Sequence, residues 1–313
     1  MARILITGGA GFIASSLAES LAQSSEHEIT LVDNLLTGKA EFIPNSPFIH
    51  FIKCDVNKFD DISGVFFKGN FDFVFHYAAM VGVARTINNP VKVLEDIDGL
   101  RNILNLSKNT GVKRVFFSSS SEVYGEPVEI PQNELTTPLN SRLPYAIVKN
   151  LGEAYLKAYH QEYGLEYTIF RFFNTYGPKQ SHDFVITRFI NAALNNEDLL
   201  VYGDGRQTRT FCYIDDNTQA VQSIFESNTY INDVVNIGSD QEISILQLAE
   251  TIISLFGSSS KIVHLPPLEE GDMTRRKPDN SKMRQVLGRQ LLSLEEGLAK
   301  SADYFKSSLN VRN

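Results

Sequence analysis

One stretch near the start limits the folds open to this chain more than any other: "ILITGGAGFIASSLAESLA", where Gly8 and Gly11 stand between a short apolar run and a segment with apolar residues at helical spacing. A strand that enters a helix through a glycine turn leaves backbone N–H groups exposed at the helix N-terminus, and that arrangement accepts a pyrophosphate. The third glycine of the pattern is replaced by Ala14, at a position that serves close helix-to-strand packing, so one methyl is tolerable. The next apolar run ends in Asp33 and Asn34, and a carboxylate there accepts hydrogen bonds from both ribose hydroxyls of an adenosine while repelling a 2′-phosphate. Together the turn and the aspartate predict a dinucleotide site that prefers NAD to NADP.

The rest of the chain keeps the rhythm that this turn begins. Short β-rich apolar runs recur at Ile4 to Ile6, Ile29 to Val32, Phe48 to Ile52, Phe73 to Phe75, Val115 to Phe117 and Tyr167 to Phe172. Between them, Phe12 to Gln23, Val91 to Thr110 and Tyr145 to Tyr163 carry apolar residues at helical spacing. Continuous apolar strands alternating with amphipathic helices predict an α/β fold: a doubly wound parallel sheet of the Rossmann type, covered on both faces. After Pro178 the rhythm loosens, with Gly and Asp clustered in "YGDGRQTRTF", a further strand at Asp233 to Ile237 and a helical tail from Leu294. Residues 1–175 are therefore expected to form the cofactor-binding domain, rejoined by about 214–240. Residues 176–313 are expected to supply mainly a smaller C-terminal α/β domain for the substrate.

Composition narrows the function. A formal net charge of −8 argues against nucleic acid, whose phosphates need a basic surface. The only cysteines, Cys54 and Cys212, lie far apart beside apolar residues and read as reduced core thiols, so neither a disulfide nor a metal site is expected. No apolar stretch approaches membrane-spanning length, and the chain enters its first strand at once, so the cytoplasm is the expected address.

The second motif is "PYAIVK", which sets Tyr145 and Lys149 one helical turn apart on the same face. A lysine ammonium beside a phenol favours the phenolate, and the tyrosine can then take a proton from a sugar hydroxyl near neutral pH. Ser120, at the C-terminal end of a strand, is placed to hold the same hydroxyl.

With these residues in view, the chain resembles the extended short-chain dehydrogenase/reductases that modify nucleotide sugars. The likeness runs through "TGGAGFIA", Asp33-Asn34, Asp55-Val56, "YAAM", the serine run, Tyr145 and Lys149, "RFFNTYGP", "GDGRQTRTFCYIDD" and "GDMTRRKPD", in the family's order. It implies that Ser120, Tyr145 and Lys149 form the catalytic group. Asp55 and Val56 would lie near the adenine of the cofactor, with Gly8, Gly11, Phe12, Ile13, Asp33, Asn34, Ala78, Ala79 and Met80 along the rest of it. Asn174 and Arg209 would contact the diphosphate of the nucleotide sugar, for which UDP is favoured, and Asp272 and Arg276 its nucleoside end. It also implies a homodimer, because the segments Val91 to Thr110 and Tyr145 to Tyr163 resemble those that pair across a two-fold axis in the family.

The shared chemistry of that family begins with oxidation of a sugar hydroxyl, usually at C4, to a ketone. The fate of the ketone distinguishes its members, and here the sequence points both ways. "SEVYG", with Glu122, and the tail "RRKPD" resemble the nucleotide-sugar decarboxylases, and Ser121 stands where a 4,6-dehydratase would need an aspartate. The loop "AAMVGVARTINNP", by contrast, is similar to that of hexose and N-acetylhexosamine 4-epimerases and lacks the Ser-Pro-rich carboxylate loop of the decarboxylases; Arg85 is its candidate for holding a carboxylate. The weighing favours NAD-dependent 4-epimerisation, with decarboxylation of a UDP-glucuronate-type sugar second. Glu122 is then either an acid/base for C5 or an acceptor for a sugar hydroxyl. A non-catalytic nucleotide-binding protein is the remaining class, disfavoured because Tyr145 and Lys149 are both present.

Overall fold

The computed structural model describes residues 1–23, 26–267 and 275–310. The first half runs β1 (Ala2–Thr7), α1 (Phe12–Gln23), β2 (His27–Asp33), β3 (Ile49–Lys53), α2 (Phe59–Gly69), β4 (Phe73–His76), α3 (Val83–Asn88), α4 (Pro90–Thr110), β5 (Arg114–Ser120), α5 (Pro144–Tyr163) and β6 (Glu166–Phe172). The second half runs β7 (Thr175–Tyr176), α6 (Val185–Leu194), β8 (Leu199–Tyr202), β9 (Thr208–Thr210), β10 (Cys212–Tyr213), α7 (Ile214–Glu226), β11 (Asp233–Ile237), β12 (Glu242–Ser244), α8 (Ile245–Phe256), β13 (Ile262–Leu265), α9 (Ser281–Leu287) and α10 (Leu294–Asn310).

Seven strands form one parallel sheet in the order β11-β6-β5-β4-β1-β2-β3. The inner strands β1, β4 and β5 carry buried apolar residues on both sides, whereas the edge strand β3 has none that is fully buried. Along β1, Ile4 and Ile6 enter the core shared with α1 and α7, while Leu5 enters the core shared with α2 and α4; all three are fully buried. Strand alternation assigns the two faces, and each such side chain contributes about 1.5–3 kcal/mol by leaving water. A third core lies among α6, α8 and α10 in the second half, where the strands other than β11 pair as two-stranded ribbons, β8 with β13, β9 with β12 and β7 with β10.

The strand order reverses at β1, which has β2 on one side and β4 on the other. Such a reversal leaves a crevice at the carboxyl ends of the two central strands, because the connections leave in opposite directions. The crevice is held open by close contacts. Gly8 has φ +69°, and a Cβ on it would lie 2.9 Å from the Ala78 amide nitrogen, so a side chain would push the two loops apart. The hydroxyl of Thr7 accepts from the Tyr77 and Ala78 amides, at 3.0 and 3.1 Å, and fixes the loop after β4 against the glycine turn.

The segment after β4, which the sequence presents as a loop, contains the short helix α3. Both cysteines are buried free thiols. Among the described residues no helix is long and apolar enough to cross a membrane.

Candidate active site

A cavity of about 1050 Å3 opens along this crevice. Its cofactor end is lined by Gly8, Gly11, Phe12 and Ile13 from the turn, Asp33 and Asn34 from the end of β2, Asp55 and Val56 after β3, and Ala78, Ala79 and Met80 after β4. These residues fit a dinucleotide. The Asp33 carboxylate is anchored by the Ala10 and Leu35 amides, at 3.1 and 2.7 Å, and burial raises its pKa against the pull of those two bonds. The glycine turn is too tightly apposed to Ala78 for any side chain, which leaves its backbone accessible to a pyrophosphate.

At the other end the cavity is lined by Ser120, Glu122, Tyr145 and Lys149, with Asn174 and Arg276 beside them. Pro144 starts α5, so Tyr145 lies in its first turn and Lys149 in the next, both against the end of β5. Ser120 ends β5, and its hydroxyl accepts from the Glu122 amide at 3.2 Å; that bond tightens the chain into a single 3-10 turn that carries Glu122 back over the site. Tyr145 makes a hydrogen bond with Ser120. The ammonium of Lys149 donates to Ser118 Oγ at 3.4 Å and lies 4.9 Å from the Phe117 ring centre and 5.8 Å from that of Tyr145.

The electrostatics of the pair differ from the reading by spacing alone. Lysine next to tyrosine is expected to lower the phenol, yet Tyr145 is pushed above its ordinary value, first by burial and next by the Glu122 carboxylate. The hydrogen bond from Ser120 and the charge of Arg276 pull the other way. Burial brings Lys149 itself down to about 8, with Asp96 opposing that fall. Burial, which spacing does not reveal, outweighs the neighbouring charge.

The guanidinium of Arg276 pairs with Glu122, Nη2 to Oε1, at 2.6 Å, and the arginine is almost fully buried. The second carboxylate oxygen of Glu122 is buried and has no hydrogen-bond partner among the described residues. Resemblance assigns Arg276 to the nucleoside end of the substrate; it lies instead against Glu122, close enough to act on Tyr145. The residues on either side of it reach elsewhere: Arg275 and Lys277 both pair with Glu242 on β12, at 2.7 and 3.7 Å.

The other expected substrate residues are distributed unevenly. Asn174 lines the cavity with its amide donating to the Thr210 carbonyl at 2.9 Å. Arg85 lies at the cavity mouth, bound to Asp183 at 3.2 Å and to the Val81 carbonyl at 3.2 Å, rather than beside Tyr145. Arg209 is buried on the β9–β12 ribbon, its guanidinium donating to the Thr208 carbonyl at 2.8 Å, and is not among the cavity's lining residues. Asp272 lies outside the described residues.

Two residues of the site escape the reading by motif. Asp96 lines the cavity, accepts from the Met80 amide at 2.7 Å and has its pKa raised by burial. Its signal in the sequence is a carboxylate on the apolar face of α4, at helical spacing between the buried Val93 and Leu100. Ser118, within the run of serines, joins Lys149 to the His76 carbonyl, to which it donates at 3.2 Å.

Comparison with known proteins agrees with this architecture. Residues 4–238 match the model of the NAD dependent epimerase/dehydratase family. The chain is 39% identical to UDP-N-acetyl-alpha-D-glucosaminuronate decarboxylase of Bacillus cytotoxicus, an alignment covering 98% of this chain and 99% of the relative. It is 36% identical to UDP-glucuronic acid decarboxylase 1 of Xenopus tropicalis, over 98% of this chain and 73% of that one. Among solved structures, UDP-glucose 4-epimerase of Thermotoga maritima with UDP-glucose superposes with a TM-score of 0.92 at 32% identity, covering 98% and 99% of the two chains. A glycine turn at the reversal of a parallel sheet, a tyrosine and lysine one turn apart beside it and a matching family model over most of the length lead to one statement: this chain belongs to the NAD-dependent epimerase/dehydratase family, the extended short-chain dehydrogenase/reductases whose relatives are nucleotide-sugar epimerases and decarboxylases.

Proposed function

We propose that the protein decarboxylates a nucleotide-linked uronic acid, with a UDP-linked 2-acetamido uronate as its substrate. The observation that carries this reading is the buried Arg276, held against Glu122 beside Tyr145. A nearly buried guanidinium that lines the cavity, one of whose partners is a carboxylate, suits a ligand that brings a carboxylate of its own. The weighing by sequence puts 4-epimerisation first because no carboxylate pocket is identifiable there; Arg276 supplies a candidate for one. The loop Ala78 to Pro90, similar to that of N-acetylhexosamine enzymes, then agrees with the tail instead of opposing it, if the uronate carries an acetamido group as the substrate named for the Bacillus cytotoxicus relative does.

Bound NAD supplies the acceptor for the C4 hydride and its later return. The residues do the rest. Tyr145 takes the proton of the C4 hydroxyl, which Ser120 orients, from its phenolate form; burial opposes that form, and the positive charges of Lys149 and of a bound nicotinamide ring would favour it. The C4 ketone makes the C6 carboxylate part of a β-keto acid. When the C5–C6 bond breaks and carbon dioxide leaves, the electron pair passes to the C4 oxygen, where the hydroxyls of Tyr145 and Ser120 meet the developing charge. Arg276 orients the departing carboxylate, and Glu122, its partner displaced, serves C5 when that carbon takes up a proton. Asn174 is assigned to the diphosphate.

The test is product identification by NMR after incubation with UDP-N-acetylglucosaminuronate, UDP-glucuronate, UDP-N-acetylglucosamine and UDP-glucose. Carbon dioxide and a UDP-linked acetamidopentose from the first are expected. Epimers of the uncharged sugars with no carbon dioxide from either uronate would overturn the reading in favour of 4-epimerisation, the second reading, which the loop after β4 favours.

The homodimer belongs to the same proposal. On α4, Val91 and Leu94 are exposed, as are Ile147 and Leu151 on the neighbouring α5, and an apolar face of that kind on two packed helices suits a second copy of the chain. Light scattering at micromolar concentration should give twice the chain mass; a monomer mass would count against it.

A further inference from the structure

Behind the site lies a buried network that the proposed chemistry does not use. Ser119 donates to Glu153 at 2.6 Å, and Glu153, one turn beyond Lys149, receives two hydrogen bonds from Arg171, at 2.9 and 2.7 Å. All three side chains are almost completely buried. Arg171 then donates to the Tyr124 hydroxyl at 2.8 Å, and that hydroxyl donates to Asn236 Oδ1 at 2.8 Å. The amide of Asn236 donates in turn to the carbonyls of Gln132 and Asp279, at 2.9 and 3.2 Å. Gln132 is zipped to the chain just after Arg276: its amide donates to the Lys277 carbonyl at 2.7 Å and its carbonyl accepts from the Asp279 amide at 2.8 Å.

Tyr124 thus occupies a particular place. It stands two residues after Glu122 in the 3-10 turn, and through Asn236 it reaches Gln132 and Asp279, the latter on the segment that carries Arg276. We infer that Tyr124 is a positioning residue, whose phenol hydroxyl holds Glu122 and Arg276 in register although they come from distant parts of the chain. It stands on burial and geometry: the ring is 1% exposed and packs against Phe173 at 6.0 Å and under the Arg171 guanidinium at 4.7 Å, so the hydroxyl has one place to be. Burial also pushes the phenol up to about 12, so it is neutral at working pH and can accept from Arg171 while donating to Asn236. In a buried network of this kind each bond from Arg171 through Tyr124 to Asn236 restricts the next, and loss of one member leaves its partners unpaired.

The inference rests on the reading that Glu122 and Arg276 work after the ketone forms. Tyr124→Phe keeps the ring and removes only the joint. In single-turnover experiments the variant should form NADH within about threefold of the wild-type rate, yet release product about ten to a hundred times more slowly, so that NADH accumulates. A variant with lowered melting temperature but wild-type product release would make Tyr124 a merely structural residue. Equal slowing of NADH formation and product release would also overturn the inference, because the hydroxyl would then act on oxidation. Should Tyr124→Phe fail to fold, Asn236→Ala, which cuts the same link from the other side, carries the test with the same two outcomes. Wild type run in parallel separates the two ideas. No carbon dioxide from wild type sinks the decarboxylase reading, and the ratio of the two rates is then measured on whichever UDP-sugar wild type does turn over.

Discussion

Replacing Tyr145 by phenylalanine should lower turnover by about two to four orders of magnitude, the ordinary worth of a positioned acid/base, while the protein keeps its fold and its bound cofactor. The reasoning is geometric. Tyr145 lies in the first turn of α5 with its ring beside Met80, Val93 and Val148, and phenylalanine fills the same space. What is lost is the hydroxyl that meets Ser120. The burial and the Glu122 charge that push the phenol upward bear only on its phenolate, so the neutral side chain loses no more than its hydrogen bond to Ser120, worth about 0.5–1.5 kcal/mol, and the variant should melt close to wild type. Steady-state rates with the preferred sugar and a thermal melt are sufficient to check both statements. A variant within tenfold of wild-type turnover would take the proton transfer away from Tyr145.

The second large effect is expected at Arg276. Deleting a partner from a buried ion pair costs about 3–5 kcal/mol because the remaining charge is stranded, so Arg276→Ala would confuse chemistry with unfolding. Arg276→Lys is the better probe: it leaves a cation for Glu122 but loses the planar fork that can hold two carboxylates side by side. Carbon dioxide release should fall by about two to three orders of magnitude, comparable with the loss of one preorganised donor, while reduction of NAD+ on substrate addition survives and NADH accumulates. In heavy water the product of the wild-type enzyme should carry deuterium at C5, because carbon dioxide is replaced there by a solvent proton. Unchanged carbon dioxide release from Arg276→Lys would remove the guanidinium from the reaction. Product with no deuterium at C5 would remove decarboxylation itself.

How much of this is legible in the chain depends on distance along it. The inner strands of the central sheet are readable because burial on both faces makes them continuous apolar runs, as at Ile4 to Ile6 and Val115 to Phe117. The ribbons of the second half are not: β9 has three residues and β10 two, and such strands exist only because a partner lies beside them. The site divides in the same way. Gly8 and Gly11, or Tyr145 and Lys149, declare themselves by local spacing. Glu122 and Arg276 each stand out in their own motifs, but nothing local joins them; the contact depends on Gln132 and Asn236 bringing the two segments together. Asp96 is hidden because it occupies an apolar-face position of α4, where a pattern of periodic burial predicts a hydrophobic residue. The lowered phenol expected of Tyr145 fails because a lysine can be counted from sequence and the burial of a side chain cannot.

The grip of Glu242 on both neighbours of Arg276 has a consequence for how such a site can change. Glu242 does not line the cavity, yet it pairs with the side chains on both sides of Arg276. In the proposed mechanism the tyrosine, the lysine and the serine make the ketone, and their placement is built into the end of β5 and the first turns of α5. In the same mechanism the fate of the ketone depends on Arg276, on a strap whose buckle is remote from the sugar. A chain of this design can exchange one outcome for another through substitutions at the buckle while its oxidation machinery stays untouched, so the reaction it performs is a looser property of the molecule than the chemistry with which every turnover begins.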